Sequence, residues 1–133
     1  MTTVAAMKSH FIDVEGPVHY QEVGDGGPVL VLAHGIGASY LSWYPVVEAL
    51  GEHHRVLAID LIGHGFTPPH GRKATVRRNA YFLAYFADVM SDNQVILVGN
   101  SMGGLISNLT AVTRPELLAG LVLDKPAMPI VYV

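Results

Sequence analysis

The stretch QVILVGNSMGGLIS, residues 94–107, constrains the fold more than any other part of the chain. It opens with an apolar run of strand length and closes with helix-compatible residues. Between them, Gly99-Asn100-Ser101-Met102-Gly103 leaves five residues for the chain to quit a strand and enter a helix. Glycines at both flanks let the two backbones come that close. A strand running directly into a helix belongs to an α/β unit, in which the helix crosses the sheet and the next strand lies parallel.

The rest of the chain repeats this order. PVLVLAHG from Pro28 and RVLAIDLIGHG from Arg55 are short, continuous apolar runs, the pattern of strands buried on both faces of a parallel sheet. Between them, SYLSWYPVVEALGEH reads as a helix with Ser39 or Ser42 as N-cap. A glycine-rich loop continues to Gly71. From Thr75, Val76, Ala80, Leu83, Ala87 and Met90 form the apolar stripe of an amphipathic helix. LAGLVLD, ending at Asp124, is a final strand. Ahead of these units, FIDVEGPVHYQEVG alternates partly and turns at Gly16-Pro17, which predicts a β-hairpin. With 133 residues and no repeat or linker, the expectation is one domain over 1–133.

Half of the residues are hydrophobic and 14% are charged, against a typical share of about 25%. The mean hydropathy is +0.36. Such a chain has many buried strands, or a surface that something else covers. No apolar run approaches the roughly 18 residues of a membrane span, and MTTVAAMKSHF lacks the apolar core of a signal peptide. The expectation is a soluble, cytoplasmic chain with no membrane partner. The absence of cysteine excludes disulfides and thiolate zinc sites. A net charge of −3 weighs against nucleic acid. GIGASY from Gly35 lacks the third glycine of a dinucleotide loop, and no P-loop pattern occurs. EHHR, residues 52–55, precedes a strand and reads as a solvated turn rather than a metal site. No cofactor and no metal are expected.

Ligand chemistry in parallel sheets gathers beyond the carboxyl ends of the strands. Here those ends carry His34-Gly35, Asp60, Ser101 and Asp124. VLVLAHGIGAS, VLAIDLIGHGFT, VILVGNSMGG and RPELLAGLVL follow one another as in the α/β-hydrolase fold family, and the chain resembles the N-terminal part of such an enzyme from about Val18 to Asp124. The resemblance implies an α/β fold: a mostly parallel sheet with an N-terminal β-hairpin, truncated after the sixth strand, without the last two strands or a cap. It implies Ser101 as nucleophile on a strained elbow, with Gly99 and Gly103 making room. The backbone N–H groups of Met102 and Ile36 would form an oxyanion hole, worth about 3 kcal/mol per donor. Gly35 and Gly37 would let that loop approach a bound oxygen. His34, His64 and Asp60 would hold the loops. Within the family, G-N-S-M-G-G resembles the elbow of C–C bond hydrolases that act on ring-fission products.

The family's order is serine, acid, histidine. All seven histidines precede Ser101: His10, His19, His34, His53, His54, His64 and His70. The base is therefore expected outside this chain, with His34 or His64 as the less favoured substitutes. Asp124 stands where some relatives place the acid; the other reading is a polar residue ending a strand. Two functions follow. One is a serine hydrolase of small acyl or related substrates, completed by a longer polypeptide or a complementing second chain. The other is a non-catalytic module that binds a ligand or partner, or self-associates, through the exposed edge LVLDKPAMPIVYV. Arg72, Lys73, Arg77 and Arg78 are expected to be a solvated cluster, with substrate or partner contacts as the alternative. Trp43 and Tyr44 are expected in the core or a pocket wall.

Overall fold

In the computed structural model, which describes residues 7–127, the apolar runs pair into one six-stranded sheet. Its strands are β1 (Lys8–Asp13), β2 (Pro17–Val23), β3 (Val29–Ala33), β4 (Arg55–Ile59), β5 (Val95–Asn100) and β6 (Leu118–Asp124). They lie in the order β1-β2-β4-β3-β5-β6. β1 and β2 form an antiparallel hairpin, and β2 joins β4 antiparallel. From β4 onward every pairing is parallel. The crossovers carry α1 (Tyr44–Gly51), α2 (Val76–Met90) and α3 (Met102–Thr113).

The period-2 geometry of the strands divides the apolar residues between two cores. Val31, Ala33, Leu57, Ile59 and Leu97 join Phe82, Leu83, Phe86 and Ile106 of α2 and α3 on one face. Leu30, Leu32, Val56 and Ala58 join Val47 of α1 on the other. That second face is more thinly covered: Ile96 and Val98 of β5 are only partly buried there. The continuous apolar reading of β3 and β4 is thus a two-faced burial, as a parallel sheet requires.

Three local expectations change. The hairpin turns at Val14-Glu15-Gly16, and Pro17 opens β2 opposite Asp13. Asp13 Oδ1 accepts the Gly16 N–H at 3.0 Å and closes the turn. Pro17 needs no ladder hydrogen bond at a strand's first position, so it starts the strand. The first helix is split. Ser39 caps a 3₁₀ turn over Tyr40–Trp43, its Oγ accepting from Leu41 N, and α1 begins only at Tyr44 with Pro45 in its first turn. Proline suits that position because its missing N–H would have no partner there. Arg72 does not belong to a solvated cluster. It is buried, and its guanidinium donates to the carbonyls of Val14, Pro17, Pro68 and Pro69 at 2.6–3.0 Å. Lys73, Arg77 and Arg78 are exposed, and Arg78 pairs with Glu15 at 3.1 Å.

Trp43 packs against the core under α1, while Tyr44 is exposed. Among the described residues no helix is long and apolar enough to cross a membrane. On β6, Val122 and Leu123 are exposed. Residues 128–133 of the expected apolar edge lie outside the described residues.

Candidate active site

The strand ends bring Ser101, the loop after β3 and the loop after β4 to one edge of the sheet. Ser101 stands between β5 and α3 with φ 54° and ψ −118°, a conformation that costs a non-glycine residue about 1–3 kcal/mol. It is the N-cap of α3, yet its side chain makes no capping bond, so the hydroxyl is not spent on the helix. Its carbonyl accepts from Gly104, Leu105 and Ala127, and its N–H donates to Asp124 O at 3.2 Å.

The tightness of the turn explains its glycines. A Cβ on Gly99 would lie 2.4 Å from Gly103 O, and one on Gly103 would lie 2.1 Å from Ala33 O. The start of α3 therefore rests on the backbones of β5 and β3. A Cβ on Gly35 would come within 3.2 Å of Ser101 Cβ, so the loop after β3 passes directly beside the serine. In that loop Ile36 is exposed, and its N–H has no partner among the described residues. Met102 is the first residue of α3, where a backbone N–H has no intrahelical acceptor.

Histidines brace these loops. His34 is buried; its Nδ1–H donates to Gly35 O at 2.7 Å and its Nε2 accepts from Leu61 N at 3.0 Å. Burial holds its pKa below the ordinary histidine value. His64 Nε2 accepts from Gly37 N at 3.0 Å, and its Nδ1–H donates to Ile62 O at 3.1 Å. Both rings are thus fixed as the neutral Nδ1–H tautomer. Both Nε2 lone pairs are occupied by backbone N–H groups, which leaves neither ring free to take a proton from Ser101.

Asp60 is fully buried at the end of β4. One oxygen accepts from Tyr40 N at 2.8 Å; the other accepts from Phe66 N at 2.9 Å and from His19 Nδ1 at 2.8 Å. It ties the 3₁₀ turn, the loop after β4 and the hairpin together. Asp124 faces Asn100 across β5 and β6, and its Oδ2 accepts from Asn100 Nδ2 at 2.9 Å. The carboxylate thus buttresses the residue before Ser101 and meets no imidazole among the described residues.

Sequence reasoning passed over His19 and Ser9. His19 is fully buried in β2, its N–H donating to Thr67 Oγ1 at 2.9 Å. The available signal was a histidine set between Val18 and Tyr20 in an otherwise core-forming strand, which demands a buried polar partner.

A profile of the alpha/beta hydrolase fold matches residues 28–132. The chain is 36% identical over 100 residues to an (E)-2-((N-methylformamido)methylene)succinate hydrolase of Acinetobacter baylyi, covering 75% of this chain and 38% of that protein. It is 38% identical over 128 residues to a 2-hydroxy-6-oxo-2,4-heptadienoate hydrolase of Pseudomonas putida, covering 92% and 46%. Among solved structures it superposes on a membrane phospholipase A with a TM-score of 0.87 at 33% identity, covering 97% of this chain and 43% of that one. The chain spans less than half the length of each of these relatives. With the profile covering most of its length, and relatives of the fold superposing closely on it, the chain belongs to the α/β-hydrolase fold family.

Proposed function

We propose that this chain is the nucleophile-bearing part of a serine hydrolase. Ser101 attacks an ester, amide, thioester or activated C–C bond of a small-molecule substrate. The developing oxyanion is held by the N–H groups of Ile36 and Met102, with the start of α3 adding its dipole. The observation that carries this reading is the left-handed backbone of Ser101, with an uncapped hydroxyl, against the loop that presents Ile36. Nothing about helix capping or strand pairing calls for a serine in that strained position. The similarity to named hydrolases supports the same class.

The general base is supplied from outside residues 1–133, because His34 and His64, the histidines bracing the loops beside Ser101, are both committed to backbone groups and no histidine follows Ser101. They and Asp60 position the loops. Asp124 anchors Asn100 through Oδ2; in a role as the catalytic acid, Oδ1, which accepts nothing among the described residues, would orient an incoming histidine.

The test is labelling of the full-length protein with a fluorophosphonate, followed by peptide mapping. The expected adduct is on Ser101, and Ser101→Ala lowers aryl-ester hydrolysis by about 10³-fold or more. A folded full-length protein that neither labels at Ser101 nor loses activity on this substitution overturns the reading.

A further inference from the structure

The histidine that sequence reasoning passed over differs from His34 and His64 in what its second nitrogen meets. Asp60 can only accept, so the 2.8 Å contact places the proton of His19 on Nδ1 and leaves the lone pair on Nε2. That Nε2 is in hydrogen-bond contact with Ser9 Oγ of β1. The hairpin register sets the pair: Ser9 lies opposite Gln21, two residues from His19, so the two side chains are diagonal neighbours on one face. In His34 and His64 the corresponding nitrogen accepts a backbone N–H. In His19 it faces a hydroxyl.

The arrangement is rigid on its inner side and open on its outer side. Asp60 is fixed by two backbone N–H groups, from Tyr40 and Phe66. The imidazole is packed by the rings of Phe11, Tyr40 and Phe66, with centroids 5.0–5.2 Å away. Ser9 itself is exposed on the edge strand.

We propose that Ser9, His19 and Asp60 form a second serine–histidine–carboxylate relay, separate from the elbow, that makes Ser9 a site of acylation by activated acyl donors such as aryl esters. In the step, Ser9 Oγ bonds to the acyl carbon and the bond from that carbon to the aryl oxygen breaks. The Ser9 proton passes to His19 Nε2 and from there to the departing aryloxide. Asp60 steadies the imidazolium while it carries the proton. Ser9 lies within a strand and heads no helix, so the tetrahedral intermediate lacks the N-terminal dipole that α3 gives to Ser101. Both acylation and deacylation lack that help, but an activated aryl ester loses its aryloxide readily while the acyl-Ser9 alkyl ester must expel an alkoxide, so the adduct accumulates as a stoichiometric modification rather than turning over.

The experiment uses Ser101→Ala protein, so that its outcome is independent of the elbow. It is treated with p-nitrophenyl acetate and mapped by peptide mass spectrometry over time. A general base raises reactivity by about 10²–10⁴-fold, so the Ser9 adduct should form about 10²-fold faster than any on the exposed Ser42 of the same chain. Adding Ser9→Ala, an exposed substitution that leaves the core intact, removes it. His19→Gln, checked for folding by circular dichroism, slows it to the Ser42 rate. A Ser9 that reacts no faster than Ser42, or one undiminished in a folded His19→Gln variant, overturns the proposal and leaves the contact a structural tie.

Discussion

Gly103 is where one added carbon has the largest consequence. Its Cβ would fall 2.1 Å from Ala33 O, a backbone atom held in the middle of the sheet. Gly103→Ala should cost about 3 kcal/mol or more, or prevent folding, because neither α3 nor β3 can withdraw alone. Gly26→Ala, where nothing lies within 4 Å, should change stability by less than about 0.5 kcal/mol. Urea unfolding of the two variants checks the contrast, and equal midpoints would refute it. His34 makes a second test. Its folded-state pKa is depressed by burial, so as pH falls the unfolded chain binds the proton first. The stability His34 contributes is complete above the ordinary value of about 6.5 and is lost as pH falls below it. His34→Gln should flatten the slope of unfolding free energy between about pH 7 and 5. A slope unchanged by that substitution would contradict the assignment. The elbow was legible in the sequence because its constraints are covalent neighbours: a strand, a tight turn and a helix within a few residues. The Asp60–His19 contact was not, because it joins residues 41 apart and depends on β2 lying beside β4.

At the scale of elements, the sequence predicted each strand and each long helix, because continuous apolar runs, the partial alternation of the hairpin and the apolar stripe of α2 are all written into consecutive residues. It misread what happens where elements meet. Arg72 lies in a loop of basic residues, and its neighbours in sequence suggested a solvated role. Its partners are carbonyls of the hairpin, at Val14 and Pro17, and of its own loop, at Pro68 and Pro69. No local pattern announces a guanidinium that reaches back more than fifty residues. The clasp locks the β1–β2 turn to the loop before α2. Arg72→Ala should cost about 3 kcal/mol, since a buried charge-assisted network is lost and its acceptors are left without donors. Arg72→Lys should recover little, because one ammonium cannot reproduce the planar fork that serves four carbonyls. Full stability in the lysine variant, measured by chemical denaturation, would reduce the contact to simple charge.

For the whole molecule, the uneven covering of the two faces decides behaviour in solution. α2 and α3 bury one face, while α1 covers the other in part, leaving Ile96 and Val98 half-buried. At the end of that face, β6 has β5 on one side and no described strand on the other. Val122 stands opposite Val98 and is 51% exposed, beside an exposed Leu123. An apolar edge strand offers both unpaired backbone groups and a greasy surface, the combination that draws a second strand or a second copy. The chain of residues 1–133 should therefore self-associate as its concentration rises, read as a growing weight-average mass in sedimentation equilibrium. Val122→Lys puts a charge on the edge, where it repels a like partner and stays solvated in the monomer. It should shift the association at least about tenfold toward monomer, a change of roughly 1.4 kcal/mol. The same substitution leaves the Ser101 elbow and the Ser9–His19 contact untouched, so labelling of either serine should be unaffected. A chain that remains monomeric at high concentration without the substitution would overturn this expectation, and association would then not account for its high apolar content.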